Sequence, residues 1–150
     1  MAEGPDPSGR RAPSNTHAAR PEANLAINGR FQRERRLLAR RDFLRVQGRG
    51  TRVEGRHFVV VAHLASTAPS YRARLGLSVG RRVGGAVVRN RIKRLVREAF
   101  RRMPKLPAVD VVVIAKTSAA MLCSEGLRAI ERELLPAMER AARRASETSR

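Results

Sequence analysis

Acidic residues are scarce in this chain, and between residues 57 and 97 there are none. Over all 150 residues, 13 Asp and Glu stand against 32 Lys and Arg, a formal net charge of +19. A stretch without carboxylates cannot supply the acids that hold catalytic metal ions, so a self-sufficient nuclease is not expected. Trp is absent, and the one Tyr, Tyr71, falls in a loop without an assigned role. The single Cys, Cys123, excludes an intrachain disulfide and any multi-Cys zinc site, and reads as a plain helix-start residue. His57 and His63 share a strand face but lie roughly 20 Å apart, too far to share a metal. No apolar run reaches the length of a membrane span, and residues 1–29 lack the apolar centre of a secretory signal. The expectation is a cytoplasmic protein that binds a polyanion.

What is present is arginine, and it is concentrated. Only Lys93, Lys105 and Lys116 are lysines. Residues 30–56 carry ten Arg against three acids, and residues 81–105 carry ten cations against Glu98 alone. A surplus kept for solubility would be spread along the chain; two dense blocks read as a footprint for phosphates. Residues 1–29 are net neutral and rich in Pro, Gly, Ala and Ser, which predicts a disordered extension. A domain over 30–145 and a flexible tail over 146–150 complete the expected organisation.

The periodicities predict six elements and one extra. A short helix over 41–47 has Phe43, Leu44 and Val46 as its apolar members and ends at Gly48 and Gly50. HFVVVAHL (57–64) and ARLGLSV (73–79) read as strands, the second with Leu75, Leu77 and Val79 on one face. A Gly-rich turn over 80–85 leads into a helix over 86–103, striped by Val88, Ile92, Leu95, Val96, Ala99 and Met103 and stopped by Pro104. DVVVIAK (110–116) reads as a strand buried on both faces. A last helix over 124–145 turns Leu127, Ile130, Leu134, Met138 and Ala142 inward, with a kink expected at Pro136. An extra strand fits 51–56. The class is α+β: a two-layer sandwich of helices on a small, mostly antiparallel sheet.

On the 86–103 helix, Asn90, Lys93, Arg94, Arg97 and Arg101 gather opposite the apolar stripe, flanked by Arg89 and Arg91. Cations near a helix N-terminus oppose its dipole, at about 0.3–1 kcal/mol each. Like charges four apart repel by about 0.2–0.5 kcal/mol per pair. A bound phosphate backbone relieves both terms. The spacing Gly80-x4-Gly85 is that of a P-loop, but Ala86 and Val87 stand where its Lys and Ser/Thr belong, so no nucleotidase is expected.

These residues also carry a resemblance. LGLSVGRRVGGAVVRNRIKRLVREAFR (75–101) is similar to the signature of the bacterial ribonuclease P protein subunit: a strand, a basic Gly turn, then Arg89-Asn90-Arg91, Lys93-Arg94 and Arg97-Glu98. RRLLARRDFLRVQGRG (35–50) resembles the family's first helix and DVVVIAK its last strand. The resemblance implies a left-handed βαβ crossover, against the usual rule. It also implies a protein without catalytic residues that joins one catalytic RNA and helps remove the 5′ leader of precursor tRNA. Mg²⁺ would be held mainly by that RNA, with no cofactor on the protein and no obligate protein partner. By position, Arg81, Arg82, Arg89, Asn90, Arg91, Lys93, Arg94, Arg97 and Arg101 would face RNA. Phe43, Gln47 and Phe58 would line a cleft for the leader; Gln47 stands where the family often has a second aromatic, and Phe43 and Phe58 read equally well as core. The competing readings are a general or ribosome-associated RNA-binding protein and a stand-alone endonuclease.

Overall fold

The computed structural model describes residues 33–65, 73–103 and 106–149. The expected extension (1–29), the loop with Tyr71, and Pro104 lie outside the described residues. The elements run α1 (Arg40–Arg49), β1 (Thr51–Glu54), β2 (Phe58–Leu64), β3 (Arg74–Ser78), α2 (Ala86–Arg102), β4 (Val109–Ala115), α3 (Leu122–Glu125) and α4 (Leu127–Thr148), with short 3-10 turns at Arg33–Arg35, Arg81–Val83 and Thr117–Met121. The sheet order is β1-β2-β4-β3. β1 and β2 form an antiparallel hairpin, and β2 pairs antiparallel with β4 from Phe58↔Ala115 to Leu64↔Val109. β3 pairs parallel with β4, so α2 is the crossover between them. Arg36 adds an isolated parallel bridge to Leu75, and the Leu37 N–H donates to the Leu75 carbonyl at 3.0 Å. That contact covers part of the otherwise open edge of β3.

Alternation along the strands separates two apolar clusters. Phe58, Val60, Ala62, Leu75, Val109, Val111 and Val113 meet Ile92, Val96 and Phe100 of α2 and Ile130, Leu134 and Met138 of α4. On the opposite face Val59, Val61 and Val112 meet Leu37 and Val46, with Phe43 and Ile114 at the margin. β4 is thus buried on both sides, which is why its run is apolar without alternation. The α+β class is as expected, and α1 adds a third, partial layer on the second face.

Several local readings change. Leu44 is 56 % exposed, so of the three apolar residues of α1 only Phe43 and Val46 turn to the sheet. Phe100, left out of the predicted stripe, is a core residue. The last helix begins at Leu127, because Gly126 at φ 86° breaks it from the α3 turn, and it continues through the expected tail to Thr148. Ala129, Ala137, Ala141 and Ala145 widen its buried stripe beyond the residues that spacing picked out.

Candidate nucleic-acid interface

The basic face is built from the turn upward. Gly80 and Gly84 flank the 3-10 turn that presents Arg81 and Arg82, both exposed. A Cβ on Gly84 would lie 3.0 Å from a Val88 methyl, so the turn lies close on the first turn of α2. Gly85 caps α2 without a side-chain hydrogen bond, and the first turn holds no acid. Its N–H groups and the positive end of the dipole therefore add to the arginines. Asn90, Arg91 and Arg94 are exposed, while Arg89, Lys93, Arg97 and Arg101 are half-buried along the border with the core. All nine residues expected to face RNA thus lie on this turn and helix.

Two cations differ in state from the rest. Burial lowers the Arg97 pKa from its ordinary value, and the positive charge of Arg36 adds to the effect. Arg101 is held by Glu98 at 2.6 Å, and Arg102 reaches the same oxygen at 3.1 Å. The Arg101 hydrogen bond, more than any other cause, holds the Glu98 carboxyl below its usual range. Before α1, the Arg35 guanidinium lies over the Phe100 ring, 4.9 Å from its centroid. Through Arg35 and Arg36 the two basic blocks of the sequence meet beside α2. Linear reading missed this, because the segments are some 60 residues apart.

The three residues expected to line a leader cleft do not share one face of the sheet. Phe43 is half-buried over β3, its ring tip close on Gly76: a Cβ there would sit 2.8 Å from Cζ, so the missing side chain makes room for the ring. Gln47 is exposed on α1. Phe58 is a correction. It is 1 % exposed and belongs to the larger cluster, on the opposite side of the sheet from Phe43, because residues 58, 60 and 62 alternate toward α2 and α4.

Beside Phe43 the structure places a feature that spacing did not mark. Asp110, fully buried, accepts from Arg74 through Nε at 2.8 Å and Nη2 at 2.7 Å, and from Arg45 Nη2 at 2.7 Å. The Asp110 hydrogen bond raises the Arg74 pKa. The signal was present: one acid opening a Val/Ile run that must be buried requires paired cations. Another long-range tie is Glu133 of α4, which accepts the N–H groups of His57 and Phe58 at the start of β2. Among the described residues no three His, Cys, Asp or Glu come together as a metal site, and Asp110 is committed to two arginines.

Known proteins share this fold. The family profile described as Ribonuclease P matches residues 31–142. The ribonuclease P protein component of Desulfovibrio desulfuricans is 42 % identical over 113 residues, which is 74 % of this chain and 85 % of that protein. The ribonuclease P protein from Thermotoga maritima superimposes with a TM-score of 0.61 at 34 % identity, covering 70 % of this chain and 96 % of the other. The Staphylococcus aureus protein gives 0.60 at 29 %, covering 72 % and 97 %.

Proposed function

The chain belongs to the ribonuclease P protein family, and we propose that it binds the catalytic RNA of that endoribonuclease through α2 and the turn before it. The observation that carries this reading is an acid-free basic surface: Arg81, Arg82, a helix N-terminus without a side-chain cap, and Asn90, Arg91 and Arg94 in solvent, with no acid before Glu98. In this reading each exposed guanidinium takes one or two phosphate oxygens and releases counterions. The half-buried Arg97 gains more than an exposed cation, because a phosphate returns the solvation that burial removed.

The 5′ leader of precursor tRNA lies along the second face of the sheet, where Phe43 offers a ring edge and Gln47 an amide. The protein supplies no general acid, base or metal ligand. In this reading the Mg²⁺ ions of the cleavage step are held mainly by the RNA. The protein's contribution is to hold two RNAs in register and offset their repulsion, most needed when Mg²⁺ is low. The working place is the cytoplasm, and no helix among the described residues is long and apolar enough to cross a membrane.

The test is cleavage of precursor tRNA by a bacterial catalytic RNA at low Mg²⁺, with and without this chain. The expected result is faster release of the leader when it is present. Equal affinity for unrelated RNA with no gain in cleavage would instead indicate a general RNA-binding protein.

A further inference from the structure

The outer face of α2 is not uniformly polar. Val87, Asn90, Arg91, Arg94 and Leu95 line an open groove of about 540 Å³. Val87 is 83 % exposed at the second position of the helix, where a β-branched residue has no propensity advantage. A single exposed valine is unremarkable in itself. Here it lies two turns from half-buried Leu95, with two arginines between them whose aliphatic stems extend the carbon surface. Asn90 is the one uncharged polar side chain in the groove. An amide can donate to a phosphate, but it uses only half of its hydrogen-bonding capacity there. An amide brings a donor and an acceptor side by side, the pattern of a base edge.

Resting on the reading above, we propose that this groove seats one unstacked nucleobase of the catalytic RNA. The base lies against Val87 and Leu95, its edge meets the Asn90 amide, and Arg91 and Arg94 hold the flanking phosphates or stack on the exposed ring face. Unpaired bases in loops and bulges are the part of an RNA that can be splayed out in this way. The only charged groups lining the groove, Arg91 and Arg94, are cations that favour a nucleotide with its phosphates, and no acid lines it to repel them.

Two substitutions at Val87 test this, because its exposure leaves the fold indifferent to it; unchanged thermal melting verifies that. Val87→Ser removes the apolar wall and should weaken binding to the catalytic RNA about tenfold without changing the salt slope. Val87→Lys fills the groove and should also weaken binding, although it adds a cation. If the face takes phosphates alone, Val87→Ser binds as the unmodified chain does and Val87→Lys binds more tightly with a steeper salt slope; that outcome overturns the groove and leaves the RNA-binding function standing. Unchanged RNA affinity in both variants also overturns it and points to a protein occupant. Failure of the unmodified chain to bind the catalytic RNA removes the function and the groove together.

Discussion

A carboxylate removed from water beside two guanidiniums behaves differently from a surface ion pair. Losing a surface partner costs little because water replaces it. Losing Asp110 leaves Arg45 and Arg74 facing each other across the end of β4. Asp110→Asn should lower stability by about 3 kcal/mol, read as a lower midpoint in urea at unchanged slope. Phe43 and Phe58 should separate in the same assay. Phe58→Ala empties a fully buried site and should cost about 3–5 kcal/mol. Phe43→Ala removes a half-buried ring and should cost about 1–2 kcal/mol. In the holoenzyme, Phe43→Ala should weaken long-leader substrate by about 1–3 kcal/mol per stacked base and leave leaderless substrate unaffected. Equal loss on both substrates from a folded Phe43→Ala protein removes Phe43 from the leader site. Burial, above all, pushes the Cys123 thiol pKa up, so it should react with iodoacetamide at pH 8 more slowly than an unfolded control.

At the scale of the element, α2 carries opposed loads. Its buried stripe of Ile92, Val96, Ala99 and Phe100 anchors it, and this tolerates a solvent face with an unfavourable charge pattern. Arg97→Ala should therefore leave the fold intact or slightly more stable, since it removes a desolvated cation near Arg36. The same change should reduce affinity for the catalytic RNA and lower the salt slope by about 1. In α4 the exposed Pro136 occupies a helix interior and denies one backbone hydrogen bond. Pro136→Ala should raise stability, by up to about 3 kcal/mol, seen as a higher Tm.

For the molecule as a whole, charge is placed by folding. Of the arginines in the first basic block, Arg45 turns inward to Asp110, while Arg35 and Arg36 come to lie beside α2. Net charge alone therefore overstates the RNA footprint, and the salt slope of binding should fall well short of the formal +19. The family match begins at residue 31. Deleting residues 1–29, which are net neutral and poor in apolar residues, should leave Tm unchanged; a fall of many degrees would show that they pack on the domain. Purified free of RNA, the chain should not cut precursor tRNA in Mg²⁺.

The order of elements, the doubly buried β4, the inward faces of α2 and α4, and the basic face were all legible in the sequence. Each depends on local periodicity, and periodicity survives without knowledge of partners. The acid-free stretch and the spacing Arg89-Asn90-Arg91, Lys93-Arg94, Arg97 also marked a cationic helix face before any coordinates. The tertiary structure alone decided the rest, because the rest depends on which element lies beside which. α2 and α4 cover the face that Phe58, Val60 and Ala62 share, and α1 covers the other, so Phe58 and Phe43 end on opposite sides of the sheet. The insertion of β4 between β2 and β3 brings Arg74 alongside Asp110 in the register and places both under Arg45. Nothing in the spacing of 45, 74 and 110 encodes that meeting. It follows from hydrophobic burial on both faces of one strand, which forces its single acid to find cations from two other elements.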